Sequence, residues 1–237
     1  MAANEFGAEQ PDNFERKVPC VVVIDTSGSM SGGPIAEASS GLQVFEREVL
    51  ADSVAKQRVD LTVVTFDSTV RVVREFGLIA GGDMPALTAQ GTTKLVDGVR
   101  KGVALLKDRI DWYFQTGQDC YRPYLIVITD GAPDPGQDVQ GLKGELQALA
   151  GSGYDSPAKK GHPRKFNVFT IGVDGASPAS LEAFSPTAPL ALKSTNFREF
   201  FKYMGTLTKQ VTGAKPDAKL DLSPGALGVA NPFDVTA

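Results

Sequence analysis

Val21-Val22-Val23-Ile24-Asp25-Thr26-Ser27-Gly28-Ser29 joins four β-branched residues to a turn of oxygen-bearing side chains. The β-branched run predicts a strand buried on both faces, as in the middle of a parallel sheet. One carboxylate and two hydroxyls then follow at alternate positions, at Asp25, Ser27 and Ser29. Oxygen atoms clustered in this way suit a hard divalent cation better than a nucleophile or a phosphate.

Outward from this strand, apolar strands alternate with amphipathic helices. Strands are predicted at Val18 to Asp25, Val59 to Phe66, Thr69 to Glu75, Arg122 to Asp130, Phe166 to Val173 and Leu190 to Leu192. Helices with apolar residues at three- and four-residue spacing are predicted at Ile35 to Lys56, after Thr93, at Asp138 to Ala150 and from Asn196 onward. The third strand mixes arginines with apolar residues after a tight turn, which predicts an antiparallel edge strand. The alternation predicts an α/β fold with a doubly wound, mostly parallel open sheet and helices on both faces.

Length and composition indicate a single domain with tails. We expect the domain at 18–212, an N-terminal tail at 1–17 and an extended or disordered C-terminal tail at 213–237. The net charge of −4 argues against a nucleic-acid binder that relies on phosphate contacts. A polar N-terminal segment and the lack of a long apolar run predict a cytoplasmic protein without a signal peptide or membrane span. Cys20 and Cys120 are too few for a disulfide framework or a tetrahedral metal site.

Oxygen-bearing residues from three parts of the chain are expected at one edge of this sheet. The carboxyl ends of central parallel strands meet there, which brings Asp130 to Asp25, while Thr93 heads a helix between the two strands. Three hydroxyls and two carboxylates satisfy the oxygen coordination that Mg²⁺ prefers. Thr92 is an alternative hydroxyl donor to Thr93. Taken alone, Asp25 and its serines also fit a helix cap, and Asp130 also fits a turn.

Three strings together resemble the metal-ion-dependent adhesion site (MIDAS) of von Willebrand factor type A (VWA) domains, over Val18 to Val211. They are Asp25-Thr26-Ser27-Gly28-Ser29, Gly91-Thr92-Thr93 and Ile128-Thr129-Asp130-Gly131. The resemblance implies a Rossmann-like VWA fold and a site for Mg²⁺, Mn²⁺ or Ca²⁺. It implies that Ser27, Ser29 and Thr93 bind the metal through their hydroxyls, with Asp25 and Asp130 acting directly or through water.

More narrowly, the chain is similar to TerY-type proteins of bacterial tellurite-resistance and stress systems. The similarity is carried by Asp25-Thr26-Ser27-Gly28-Ser29-Met30, by Thr65-Phe66-Asp67-Ser68 and by Arg122-Pro123 leading to Thr129-Asp130-Gly131-Ala132-Pro133. What this resemblance implies is a cytoplasmic, non-enzymatic adaptor that uses its metal to hold partner proteins through an acidic group. In that family the partners include a PP2C-type phosphatase and a protein kinase.

The same residues allow two other functions. One is a VWA partner of a MoxR-type AAA+ ATPase, which uses similar metal chemistry. The other is metal-dependent phosphoryl transfer with Asp25 as nucleophile, but the carboxylate expected two residues later is Ser27. His162 is the single histidine and lies in a basic loop, and the chain has neither a G-x-S-x-G string nor a phosphate loop. We therefore predict no enzymatic activity and no catalytic residues.

Overall fold

The computed structural model describes residues 13–151, 165–173, 176–192 and 197–213. Within these ranges the strands are β1 (Val18–Asp25), β2 (Val59–Phe66), β3 (Val70–Leu78), β4 (Tyr124–Thr129), β5 (Asn167–Gly172) and β6 (Leu190–Ala191). The helices are α1 (Gly33–Leu50), α2 (Ala55–Arg58), α3 (Leu95–Thr116), α4 (Val139–Leu149), α5 (Pro178–Glu182) and α6 (Phe197–Gly213). A short 3₁₀ turn spans Gly28–Met30.

The strands form one sheet in the order β3-β2-β1-β4-β5-β6. Strand β3 pairs antiparallel with β2, whereas every other neighbouring pair is parallel. This confirms the predicted α/β fold with its antiparallel edge strand. Strand β1 lies between β2 and β4 and is buried along its whole length, as its β-branched run predicts.

Helices cover both faces of the sheet. Alternate residues of β1 point to opposite faces. Val22 and Ile24 belong to the core beneath α1 and α6, and Val21 and Val23 belong to the core beneath α3 and α4. None of the helices in the described ranges combines the length and the apolarity that a membrane span requires.

Two glycines of helix α3 face the sheet and leave no room for a side chain there. A Cβ atom on Gly102 would lie 2.6 Å from Val23 Cγ2, and one on Gly98 would lie 2.7 Å from Phe66 Cδ1. Larger residues at these positions would push the helix away from the strands. The glycines therefore hold the beginning of α3 beside the carboxyl ends of β1 and β2.

Several predicted boundaries differ from the structure. The helix predicted over Ile35 to Lys56 is two helices, because Asp52 Oδ1 accepts hydrogen bonds from the amides of Val54 and Ala55 at 2.9 and 2.8 Å and starts α2. Strand β3 continues three residues beyond the predicted end. Helix α5 was not predicted, since five residues are too few for a periodic apolar pattern.

Part of the predicted N-terminal tail contacts the domain. Lys17 is buried, its amide donates to the Asp119 carbonyl at 3.0 Å, and its ammonium donates to the Glu15 carbonyl at 2.9 Å. The tails otherwise lie outside the described residues, which exclude 1–12 and 214–237. The division into a domain and two tails stays a prediction.

The two edges of the sheet are built differently. Strand β6 has only two residues. The pairing of β2 with β3 shifts register between Leu61 and Val64, which twists β3 at this edge. The guanidinium of Arg74 on β3 folds back over the end of its own strand and donates to the carbonyls of Gly77 and Leu78 at 3.3 and 3.1 Å.

Candidate metal centre

The Asp25 carboxylate ends β1 inside the protein, with no exposed surface. Its Oδ1 accepts a hydrogen bond from the Ser27 amide at 2.8 Å. Its Oδ2 accepts one from the Thr129 hydroxyl at 2.6 Å, at the end of the neighbouring strand β4. One oxygen is thus held by the backbone of the turn after β1 and the other by a side chain at the end of β4. These two contacts fix the orientation of the carboxylate.

A chain of hydroxyls leads from this carboxylate towards solvent. Ser27 Oγ lies 3.0 Å from Ser29 Oγ. The Ser29 hydroxyl donates to Asp130 Oδ1 at 2.9 Å. Ser27 is buried and Ser29 is exposed, so the group opens onto the surface at Ser29. The structure thereby brings together four of the five predicted site residues, from turns that are about a hundred positions apart in the sequence.

The loop that carries the fifth residue lies against the same turn. The Gln90 amide donates to the Thr26 carbonyl at 2.8 Å, and the Gly28 amide donates to the Gly91 carbonyl at 3.1 Å. Gly91 has φ +73°, and a Cβ atom there would lie 2.5 Å from Ser68 Oγ. A glycine is therefore required where this loop passes the site.

Thr93 and Thr92 have different surroundings. The Thr92 hydroxyl lies 3.3 Å from Ser68 Oγ and is exposed, whereas Thr93 is 9% exposed. Backbone groups of Thr93 bind Asp134, in the loop that begins with Asp130. No hydrogen bond joins the Thr93 hydroxyl to the other four residues within the described ranges. The choice of Thr93 over Thr92 as the hydroxyl ligand therefore stays a prediction.

Both carboxylates of the group are harder to ionise than usual. Burial raises the pKa of Asp25 to about 6, although the hydrogen bonds from Ser27 and Thr129 act in the opposite direction and the charge of Asp130 adds to the rise. Burial likewise raises the pKa of Asp130, against the hydrogen bond from Ser29. No lysine or arginine in the described ranges pairs with either carboxylate. A divalent cation beside the two carboxylates would favour their ionised forms.

The oxygens of the group lie close enough together to be shared by one cation. The separations between Ser27 Oγ and Ser29 Oγ and between Ser29 Oγ and Asp130 Oδ1 are 3.0 and 2.9 Å. These are ordinary hydrogen-bond lengths and also match the spacing of about 2.9 Å between neighbouring oxygens around a six-coordinate Mg²⁺ ion. No group of three or more His, Cys, Asp or Glu residues suited to a metal is found in the described part of the chain. In the group described here the hydroxyl oxygens of Ser27 and Ser29 accompany the carboxylates, and oxygen ligands of this kind suit a hard cation.

Three residues of this region were given no role from the sequence. They are Thr129, which orients Asp25, and Asp134 and Gln137, which bind the backbone of Thr93. The signal for Thr129 is a hydroxyl at the end of an aliphatic buried strand, since buried hydroxyls need partners. Asp134 and Gln137 lie in a loop, and no local pattern shows that they reach another loop.

Solved structures share this fold. The VWA domain of the type V pili tip protein Mfa5 from Porphyromonas gingivalis is 13% identical, with a TM-score of 0.58 over 85% of this chain and 98% of that one. A von Willebrand factor type A protein from Catenulispora acidiphila is 17% identical, with a TM-score of 0.56 over 81% and 43%. Proximal thread matrix protein 1 from the mussel byssus, with a zinc-occupied MIDAS motif, is 15% identical, with a TM-score of 0.52 over 84% and 47%. The chain spans less than half the length of the last two.

No curated protein gives a significant match to the sequence. The family profile described as the von Willebrand factor type A domain matches residues 20–210, which is most of the chain. The matched range begins within β1 and ends within α6, so it contains the sheet apart from the first two residues of β1, and all five predicted site residues. The chain therefore belongs to the von Willebrand factor type A domain family.

Proposed function

We propose that the chain is a non-enzymatic, metal-dependent protein-interaction module with a MIDAS-type site. Ser27, Ser29 and Thr93 would hold a divalent cation through their hydroxyls, with Asp25 and Asp130 acting directly or through water. The observation that carries this proposal is the linked group of Asp25, Ser27, Ser29 and Asp130, whose two carboxylates have raised pKa values and no basic partner among the described residues.

Mg²⁺ is the proposed ion, with Mn²⁺ and Ca²⁺ as alternatives. The cation, when bound, supplies a positive docking point for an acidic group of a partner protein. The chain's own contribution is to orient its donors and to keep the site open on one side. Asp25 is fixed from beneath by Ser27 and Thr129, while Ser29 is exposed. An acidic side chain of a partner therefore approaches from the side of Ser29.

The geometry gives no support to nucleophilic catalysis by Asp25. Its carboxylate is fully buried and each of its oxygens accepts a hydrogen bond. A nucleophile must reach the phosphorus atom of a substrate, and this carboxylate has no exposed oxygen to do so. The position two residues later is occupied by Ser27, so no second carboxylate lies beside it in the turn. These features support an interaction module rather than a phosphoryl-transfer enzyme.

The proposed partners are a PP2C-type phosphatase and a protein kinase of a bacterial stress or tellurite-resistance system, in the cytoplasm. The support is the similarity of three strings to TerY-type proteins. They are Asp25 to Met30, Thr65 to Ser68, and Arg122-Pro123 leading to Thr129 to Pro133. A MoxR-type ATPase would use the same metal site with a different surface. Which partner binds is therefore a separate question from whether the metal binds.

Co-purification of the full chain with each candidate partner tests the proposal. Capture is expected in Mg²⁺ and is expected to be lost in EDTA and in the Ser29→Ala and Asp25→Ala variants. Asp138→Ala is the matched control, because it removes a carboxylate at the start of α4 that binds Arg100 and the Gly141 amide. Circular dichroism establishes that each variant is folded. Capture that is unchanged in EDTA would contradict the metal-dependent function, and capture of only a MoxR-type ATPase would replace the proposed partners.

A further inference from the structure

Helix α3 begins without a capping side chain of its own. The residue before its first turn is Lys94, which makes no side-chain capping hydrogen bond. The cap comes instead from another loop, because Gln137 Oε1 accepts from the Val96 amide at 2.8 Å. The amides of the first turn of a helix have no partner within the helix, so this contact replaces a local cap.

The same loop holds the backbone of Thr93 from both sides. The Thr93 amide donates to Asp134 Oδ1 at 3.1 Å, and the Asp134 amide donates back to the Thr93 carbonyl at 3.1 Å. The Gln137 side-chain amide donates to the same carbonyl at 2.7 Å and to the Asp134 carbonyl at 3.2 Å. Both peptide groups that flank the Thr93 side chain are thereby fixed.

Asp134 lies four residues after Asp130, so these contacts tie the loop of one proposed ligand to the loop of another. We propose that Asp134 and Gln137 are positioning residues that fix the Thr93 hydroxyl relative to Asp130 and so set the affinity of the metal site. This inference rests on the proposed function. The contacts of Asp134 Oδ1 and of the Gln137 side chain are with backbone groups of Thr93, Val96 and Asp134, which is the arrangement expected of residues that orient a ligand.

Titration calorimetry of the full chain with Mg²⁺ and Mn²⁺ tests this. Asp134→Ala and Gln137→Met are each expected to weaken affinity about 10-fold, the usual cost of losing a residue that orients a metal ligand. Asp134→Asn keeps the acceptor for the Thr93 amide and is expected to restore most of the affinity. In metal-free protein, hydrogen exchange of the Val96 amide is expected to accelerate in Gln137→Met, which reports the lost cap independently of metal.

Asp138→Ala is the control, because it removes a carboxylate of the same loop region that caps α4 and contacts Arg100 rather than Thr93. Its metal affinity is expected to match that of the wild type. Equal weakening in Asp138→Ala, or weakening in Asp134→Asn as large as in Asp134→Ala, would show an effect of charge or general stability and would overturn the inference. If Asp134→Ala and Gln137→Met bind Mg²⁺ and Mn²⁺ with wild-type affinity, the inference is overturned but the proposed metal site is not. A wild-type chain that binds neither ion would refute the proposed function itself.

Discussion

The Thr129 hydroxyl at the end of β4 donates a 2.6 Å hydrogen bond to the Asp25 carboxylate at the end of β1. Thr129→Val keeps the shape of the side chain and removes this donor. We expect the pKa of Asp25 to rise above about 6, because a hydrogen bond that favours the ionised form is lost. Mg²⁺ affinity, measured by calorimetry, is expected to fall about 10-fold, and Thr129→Ser is expected to retain it.

Thr170→Val is the matched control for that substitution. Thr170 lies on β5 and is buried, and its hydroxyl has no hydrogen-bond partner among the described residues. Removing an unsatisfied buried hydroxyl is expected to be neutral or to stabilise the protein by about 1 kcal/mol. Equal losses of Mg²⁺ affinity in Thr129→Val and Thr170→Val would mean that Thr129 has no specific role in orienting Asp25.

The adjacent threonines Thr92 and Thr93 provide a second comparison. Thr93→Val is expected to weaken Mg²⁺ binding because it removes the proposed ligand, whereas Thr92→Val removes a hydroxyl that lies beside Ser68 and should leave affinity unchanged. Calorimetric titration of both variants measures the difference. If Thr92→Val gives the larger loss, the assignment of the hydroxyl ligand must be exchanged.

The raised pKa of Asp25 predicts how the stability of the metal-free protein depends on pH. Between its ordinary pKa of 3.8 and about 6, folded Asp25 retains a proton that the unfolded chain has lost. The contribution of Asp25 to the free energy of unfolding therefore decreases as pH rises through that window and stays low above it. In EDTA at about pH 7.5, Asp25→Asn is expected to be more stable than the wild type by about 1–3 kcal/mol.

Urea denaturation of both proteins in EDTA at about pH 4 and about pH 7.5 checks this expectation, because other titrating groups cancel in the difference. The difference in the free energy of unfolding between Asp25→Asn and the wild type should be smaller at the lower pH. With saturating Mg²⁺ at the higher pH, only the wild type should gain stability, since binding to the folded state alone stabilises it. A difference that does not change with pH would show that Asp25 is not held with a raised pKa.

The opposite end of the sheet contains a buried ion pair. Arg109 on α3 donates to Asp60 on β2 at 2.6 Å, Tyr113 donates to the same oxygen, and the guanidinium lies 4.3 Å from the centre of the Trp112 ring. Arg109→Met leaves the Asp60 charge uncompensated and is expected to lower the free energy of unfolding by about 3–5 kcal/mol. Urea denaturation measures this loss.

Arg100→Met on the same helix is the control for Arg109→Met. Arg100 pairs with Asp138 and Glu145 on the surface, and such pairs contribute at most about 1 kcal/mol. Mg²⁺ affinity should be unchanged in Arg109→Met, because Arg109 lies far along α3 from Thr93. A loss of stability no larger than that in Arg100→Met would show that the buried pair does not stabilise the fold.

The fold was predictable wherever the sequence pattern is local and continuous. The predicted bounds of β1 and β2 match the structure, because uninterrupted apolar runs define both strands. The end of α1 was misplaced because it depends on the Asp52 side chain, whose capping contacts interrupt a stripe that otherwise continues. Propensity and periodicity do not contain this information.

In the candidate site, too, the positions set by the strands could be predicted, whereas the side-chain contacts between separate elements could not. Asp25, Ser27, Ser29 and Asp130 could be placed together because parallel strands end at a common edge, and the structure joins them by hydrogen bonds. The contacts around the site could not be predicted, since they join separate elements: Gln137, in the loop before α4, binds the amide of Val96 in the first turn of α3. Such contacts depend on where the loops lie after folding.

Both edges of the sheet are poorly suited to pairing with strands of another copy of the chain. Strand β6 offers two residues for pairing, and at the other edge Arg74 already engages the carbonyls of Gly77 and Leu78. Exposed edge strands are templates on which other molecules add strands and begin to aggregate, and short, twisted or charged edges oppose this. Growth of the sheet into fibrils is therefore disfavoured at both margins.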